Sequence, residues 1–535
     1  MKKLPLGIQN FRKIMEGGYV YVDKTQYVYN IINGGSYYFL SRPRRFGKSL
    51  LLDTIGEAFS GDRELFKGLW IYGSDYSFEK HPVIRLDMSN IANETPEMLK
   101  DELLIELKSR IKKEGFSIDY NTPSATFKTL IEELHEKYNQ TVVVLIDEYD
   151  KPILDRLGDM EVAEANKDVL GGFYGVLKSM DPHLRLTFIT GITKFTKASV
   201  FSELNNLGDL TLSRKYSSVC GIGIADLDEY FGERIKALSA AGDFNHVSDL
   251  RGEILAWYDG YSWDGKNRVI NPFSLLSFFD QERFASFWYA SGTPKFLMEL
   301  MIKDPGVYAK LKNLRITGLM LDTTEIDKIE AELLLFQTGY LTVKEIAYDM
   351  NEEVFVLGMP NSEVRKAFDL HVATAFTGKK QAYVKNAQLD IAEALQGGDL
   401  QKVLEMLRGL FASIPYELHV DREAYYHSVF YAVMNVLGFD IDAEVSTAGG
   451  RVDAVLELDD KAYVMEFKYG KCEQGASQEE KKKLFEKALG EGMEQIKSRG
   501  YAKKYEGSGK KVHLAAFAFL GRDDIEMRVE EQQGI

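Results

Sequence analysis

The run Thr141-Val-Val-Val-Leu-Ile-Asp147-Glu148 constrains the fold more than any other stretch of the chain. A half-buried strand alternates apolar and polar residues, because successive side chains point to opposite faces. This run does not alternate. It reads as a strand covered on both faces, as in a parallel sheet lying between two layers of helices. The acids at its carboxyl end fall where open α/β sheets bind ligands. Tyr37–Leu40, Pro82–Asp87 and Leu184–Thr190 are further apolar strands, and Lys48–Phe59 and Glu97–Lys113 read as helices between them. That alternation predicts an α/β, doubly wound parallel sheet over residues 1 to about 215.

Phe46-Gly47-Lys48-Ser49 lies between the first strand and its helix. Strand, loop, Gly-Lys-Ser, helix is the context a phosphate-binding loop needs. Backbone N–H groups and the helix N-terminus cradle phosphate oxygens there. Arg45, Phe46, Gly47, Lys48 and Ser49 are therefore the candidate nucleotide contacts. Lys48 suits the β- and γ-phosphates, and the Ser49 hydroxyl suits magnesium. Arg42 stands where such loops usually begin with glycine, so the segment reads Arg-Pro-Arg-Arg-Phe-Gly-Lys-Ser. Arg42, Arg44 and Arg45 are candidates to meet phosphate or a neighbouring subunit. Asp147 then looks like the Walker B acid that holds magnesium through water, and Glu148 like the group that polarises the attacking water. Thr190 and Thr193, in Thr-Gly-Ile-Thr-Lys, are the alternative polar sensors of a γ-phosphate. The cofactors these residues imply are ATP and Mg2+.

A second constellation lies near the other end. Arg451–Leu458 and Lys461–Lys468 read as adjacent strands joined by Asp459-Asp460. A two-residue turn sets Leu458 opposite Lys461 and hence Asp453 opposite Glu466. Cross-strand partners share a face of the sheet, and Lys468, two residues on, joins them. Two carboxylates and an ammonium can hold a divalent metal and activate water against a phosphodiester. Asp421–Leu437 reads as a preceding helix, with Glu423 and His427 one turn apart. Glu480–Arg499 reads as a following one and carries Gln495.

Asp453 followed by Glu466-x-Lys468 resembles the PD-(D/E)XK nuclease superfamily. The resemblance implies that Asp453 and Glu466 bind Mg2+, with Mn2+ an alternative, and that Lys468 orients the attacking water or stabilises the transition state. Glu423 matches the extra acid that many members carry on the first helix, and Gln495 a supporting glutamine. The other end resembles the bacterial AAA-ATPase-like proteins whose P-loop reads RPRRFGKS. Tyr21-Val-Asp-Lys-Thr25, Leu145-Ile-Asp-Glu-Tyr-Asp150, Tyr258-Asp-Gly-Tyr261 and Asn271-Pro-Phe-Ser274 share that texture. Members commonly join this ATPase to a C-terminal PD-(D/E)XK domain, so the resemblance covers most of the chain. Tyr21–Lys24 either line the nucleotide pocket or are structural.

At 535 residues, two to four domains are expected. Cys220 and Cys472 offer neither metal-ligand spacing nor a disulfide framework, which fits a reducing cytoplasm. The first residues lack the apolar core of a signal peptide, and no run approaches a membrane span. A formal net charge of −15 argues against a protein coated in nucleic acid. Between Lys461 and Lys511, however, 13 Lys/Arg face eight Asp/Glu, a local excess that suits phosphate or forms a solvated helix face.

The middle reads as a helical extension over Asp226–Asp243 to Tyr289. A helix at Asp322–Phe336 and a hairpin, Tyr340–Glu345 with Glu353–Leu357, then suggest a winged-helix-like lid. Trp257, Trp263 and Trp288 read as core residues. The expected domains are 1–215 (ATPase core), 216–368 (extension and lid), 369–413 (helical connector) and 414–535 (restriction-endonuclease-like). The leading expectation is an ATP-binding and ATP-hydrolysing protein coupled to metal-dependent cleavage of nucleic acid, DNA in the first instance, in defence, mobile-element maintenance or repair. The alternative is an ATP-switched module whose nuclease-like domain binds nucleic acid or protein without cutting. A homo-oligomer stays open, because such motors use an arginine from a neighbouring subunit. Arg44, Arg185 and Arg214 are candidates for it.

Overall fold

The computed structural model describes the chain apart from residues 119, 195–199, 202–203, 205, 246, 289–310, 312–313, 322–330, 350–351, 413–441, 448–449, 458–459, 471, 473–475, 499–509, 521–523 and 533–535. Side chains at 319, 321, 376, 412, 442–447, 450–454 and 532 are likewise not described. The chain divides into two compact units: Met1–Phe296 with Asn313–Val364, and Leu297–Lys312 with Arg365–Ile535.

The first unit is built on a parallel sheet of β1 (Tyr37–Ser41), β2 (Val83–Asp87), β3 (Val142–Asp147), β4 (Leu184–Gly191) and the short β5 (Gly208–Asp209). Their spatial order is β2-β3-β4-β1-β5. Every residue of β3 is buried, so the unbroken apolar run has the two-sided cover its sequence demands. Each buried Val, Leu or Ile side chain contributes roughly 1.5–3 kcal/mol. β4 lies between β1 and β3, in register Leu40↔Thr190 with one and Ile146↔Ile189 with the other. The carboxyl ends of all three strands therefore open at one edge, where helix Lys48–Ala58 begins.

Helices Ile224–Ala241, Leu250–Tyr258 and Pro272–Gln281 share a second core that includes Phe231, Ile254, Tyr258 and Phe278, and the short strands β6 (Ile222–Gly223) and β7 (Val269–Ile270) pair antiparallel. The expected hairpin is present with longer arms. β9 (Thr342–Asp349) and β10 (Glu352–Gly358) pair antiparallel, and β8 (Leu314–Thr317) joins the other side of β10. Of the helix expected over Asp322–Phe336, residues 322–330 lie outside the described residues; a helix is described at Ala331–Thr338. Trp263 and Trp288 are buried, as core residues should be.

The second unit contains helices Ser362–Thr377 (from Arg365), Gln381–Gly397 and Leu400–Ala412. Its sheet runs in the order β11 (Asp442–Thr447), β12 (Gly450–Glu457), β13 (Lys461–Gly470), β14 (Lys511–Leu520) and β15 (Asp524–Gln532). Only the β13–β14 pairing is parallel, and the chain between them includes helix Gln478–Ser498. That helix packs Leu489, Met493 and Ile496 onto Ala462, Val464, Leu514 and Ala516. An α/β fold with a P-loop-type sheet, a middle region and a mixed nuclease-like sheet follows.

Candidate functional sites

The phosphate loop is shaped by two left-handed residues, Arg45 at φ 67° and Gly47 at φ 92°. Gly47 is the N-cap of helix Lys48–Ala58, so the free N–H groups of that helix point back into the loop. The loop faces a cavity of about 370 Å³ lined by Arg44, Arg45, Gly47, Lys48, Ser49 and Glu148, among others. Lys48 is buried, and its ammonium donates to the carbonyls of Arg42 at 2.9 Å and Pro43 at 3.0 Å. Phe46 points away from the cavity's polar wall. It is buried edge-on against Tyr261 and Trp263, at 4.7 and 5.5 Å between ring centroids.

Arg42 is fully buried. Its guanidinium donates to the carbonyls of Ser41, Thr211 and Tyr216 and lies 3.9 Å over the ring of Trp263. Burial pushes its pKa down to about 10. The residue in the usual glycine position is thus an anchor that ties the loop to its wall. Of the other arginines, Arg185 donates to the carbonyl of Ile32, and Arg214 faces Glu353 at 3.6 Å.

At the end of β3, the Thr190 hydroxyl donates to Asp147 Oδ1, which also accepts the Glu148 amide. Glu148 sits at φ 51°, a strained conformation for a residue with a side chain, and lines the cavity. Burial raises its carboxyl, with the charges of Asp147 and Asp150 adding to the effect and Lys48 and Arg44 opposing it. Thr193 is not brought to this point. Its amide and hydroxyl both donate to buried Asp150, which accepts the Ile192 amide as well. The sequence reading placed Asp150 in the Leu145–Asp150 motif but gave it no role. It is a buttress that fixes the loop after β4.

Beside the polar cavity lies an apolar one of about 100 Å³. The two share Pro5, Gly47, Leu50, Pro272 and Leu276. Tyr21, Val22 and Val219–Ile222 close the apolar side. Asn271 caps helix Pro272–Gln281 through its side-chain oxygen, with Pro at the first helical position, which explains the Asn-Pro-Phe-Ser motif.

In the second unit, β12 and β13 pair with Ala454↔Met465, Val455↔Val464 and Leu456↔Tyr463. One further step in that register puts Asp453 opposite Glu466, as the turn argument requires. The side chain of Asp453 and all of Glu423 and His427 lie outside the described residues. Glu466 is fully buried, and Lys468 Nζ bridges Glu466 Oε1 at 3.0 Å and Gln495 Oε1 at 2.8 Å. Gly492 makes this reach possible. A Cβ there would lie 3.0 Å from Ala516 Cβ and 3.6 Å from Lys468 Cγ, so the helix approaches the sheet closely just one turn before Gln495. The local basic excess is partly neutralised: Lys481 pairs with Asp524, Lys497 with Glu530 and Lys510 with Glu457.

Residues 5–201 match the family described as predicted AAA-ATPase, and residues 421–528 match the PD-(D/E)XK nuclease superfamily. An uncharacterized protein from the vnfD 5′ region of Azotobacter chroococcum mcd 1 is 35% identical over 525 residues, covering 97% of this chain and 96% of that one. The chain belongs to this AAA-ATPase-like family with a C-terminal PD-(D/E)XK domain. In this AAA-ATPase-like protein the first match contains both Gly47-Lys48-Ser49 and Asp147-Glu148, and the second contains Glu466, Lys468 and Gln495. Among the described residues, no helix is long and apolar enough to cross a membrane.

Proposed function

We propose that this protein binds and hydrolyses ATP in its first unit and that nucleotide state governs metal-dependent cleavage of DNA in its second. The observation that carries the reading is the Glu466–Lys468–Gln495 triad, in which Glu466 is fully buried and Lys468 and Gln495 are half-buried. A buried carboxylate held by a lysine is costly to assemble for stability alone. A glutamine fixing the other side of the same ammonium is an arrangement for positioning charge.

The first site fits a nucleotide. Helix amides behind Gly47, the Lys48 ammonium and a cavity of about 370 Å³ suit a triphosphate with its metal. Ser49 and Asp147 are the residues to hold Mg2+, with Thr190 orienting Asp147. Glu148 polarises the attacking water. The adjoining apolar cavity, floored by Leu50 and Leu276, takes the base. Lys48 exchanges its two carbonyl acceptors for phosphate oxygens on binding.

At the second site Glu466 and Asp453 are the metal-holding carboxylates, with Glu423 the third candidate. A divalent cation there supplies Lewis acidity and an activated water. Lys468 places its charge beside the scissile phosphate, and Gln495 keeps the ammonium from collapsing wholly onto Glu466. The units are joined through helix Ser362–Thr377, which crosses the division at Val364 and Arg365. A cytoplasmic protein acting on foreign, mobile or damaged DNA fits these chemistries.

The test is cleavage of linear and circular DNA by purified protein with Mg2+ or Mn2+, with and without ATP, beside Asp453→Ala/Glu466→Ala. Cutting that the double variant lacks, and that responds to ATP, is expected. Equal cutting by the variant refutes the nuclease assignment. No cutting by either, with ATP still bound, transfers the reading to an ATP-switched nucleic-acid or protein binder.

A further inference from the structure

The arginines of the phosphate loop have three different fates. Arg42 is consumed in the wall by three carbonyls and Trp263. Arg45 also lines the cavity, but it is exposed and lies 5.0 Å over the Phe273 ring. Arg44 is half-buried and lines the cavity with Lys48, Ser49 and Glu148. Its main chain is held from outside: Trp288 Nε1 donates to the Arg44 carbonyl at 3.0 Å. The preceding Pro43 packs so tightly on Gly339 that a Cβ there would come within 2.7 Å of Pro43 Cβ. The backbone is therefore fixed while the guanidinium stays on the cavity side. Lys151, a further cation on the cavity wall, is tied to Asp155 at 2.6 Å.

Phosphoryl transfer to water builds charge on the γ-phosphate oxygens and on the β–γ bridging oxygen, and many NTPases meet it with an arginine from the same chain or from a neighbour. We propose that Arg44 is that arginine and acts in cis, so that this phosphate loop carries its own transition-state cation and hydrolysis needs no second subunit. The proposal rests on the ATPase reading above. In the step, the water oxygen bonds to the γ-phosphorus as the bond from phosphorus to the bridging oxygen breaks. The electron pair stays with ADP, and a water proton passes to Glu148. Arg44 offsets the charge on the leaving and equatorial oxygens.

The experiment measures ATP affinity by calorimetry and steady-state phosphate release for the full chain, Arg44→Ala, Arg44→Lys and Lys48→Ala, with far-UV circular dichroism as the folding control. Arg44→Ala is expected to lose roughly 10³-fold in kcat while Kd for ATP changes less than about tenfold. Arg44→Lys keeps the charge without the planar fork and is expected to lose at least about tenfold in kcat. Wild-type activity per chain should hold constant over a hundredfold dilution. Mixing Arg44→Ala with Lys48→Ala, which retains Arg44 but lacks the phosphate lysine, should restore nothing. Restoration in that mixture, or activity per chain that climbs with concentration, overturns the cis assignment. So does an Arg44→Ala protein with wild-type kcat, or one that loses affinity while kcat at saturation survives. If Arg44→Ala does not fold, Arg44→Lys decides, and wild-type kcat in that variant overturns the proposal. A wild-type chain that neither binds nor hydrolyses ATP overturns the parent reading and this one together. That failure is recognisable because no variant is needed to see it.

Discussion

Glu363 offers a quantitative test of the packing around the phosphate loop. Its side chain is fully buried in the first turn of helix Ser362–Thr377, and Oε1 accepts the Trp288 amide at 2.7 Å. The same Trp288 holds the Arg44 carbonyl. Burial raises the carboxyl from its ordinary 4.5 to about 7, against the opposing pull of Ser274 and the Trp288 and Phe287 amides. Between those two pH values the folded chain binds a proton that the unfolded chain releases. The contribution of this group is therefore complete below pH 4.5 and is lost as pH rises through 7. The difference between 4.5 and about 7 corresponds to about 3.4 kcal/mol in all, of which about 2.5 kcal/mol falls between pH 5 and 8. Glu363→Gln removes that titration while leaving an oxygen to accept the Trp288 amide. Thermal and urea unfolding of both proteins at pH 5, 6, 7 and 8 isolates the difference, because every other titrating group is common to both. The variant should gain about 2.5 kcal/mol on wild type across that range. For a unit of roughly 350 residues that is about 3–4 °C in Tm. Parallel stability curves for the two proteins would refute a buried, proton-binding Glu363.

Other consequences follow from the same contacts. Arg42→Gly, which installs the usual loop glycine, should destabilise the first unit by about 3 kcal/mol or more, because it strands the Thr211 and Tyr216 carbonyls and opens a hole beside Trp263; unchanged urea unfolding would show that the anchor carries nothing. Lys48→Ala should raise Kd for ATP at least about 100-fold, a phosphate-bound ammonium being worth about 3 kcal/mol, and leave the far-UV spectrum intact; retained affinity would remove the phosphate-loop assignment. Gln495→Ala frees Lys468 to pair with Glu466 alone, and should lower metal-dependent cleavage about tenfold or more with metal affinity little changed. A loss confined to metal affinity would make Gln495 a support for the carboxylates and not for the lysine.

The elements that were legible in the sequence are those whose signal is local. β3 announced itself because five successive apolar residues permit only a strand covered on both faces. The register of β12 on β13 followed from a two-residue turn and the period of two, with no knowledge of the rest of the sheet. Gly47-Lys48-Ser49 is local for the same reason: a glycine at positive φ followed by a helix start is set by a few residues.

What stayed hidden depends on residues far apart in the chain. Arg42 read as a cation for phosphate or a neighbouring subunit, yet three carbonyls and Trp263 claim it, the last more than 200 positions away. Thr190 and Thr193 were equivalent in sequence. Only the placement of β4 between β1 and β3 turned one towards Asp147 and gave the other to Asp150. The lysine-rich stretch looked like a basic surface until β15 brought Asp524 and Glu530 against it. Sequence alone marked the two sets of candidate side chains, because turn chemistry and strand period act over a few residues. Tertiary structure decided which arginine is taken into the wall and which carboxyls are buried, because burial and long-range pairing exist only once distant segments have packed.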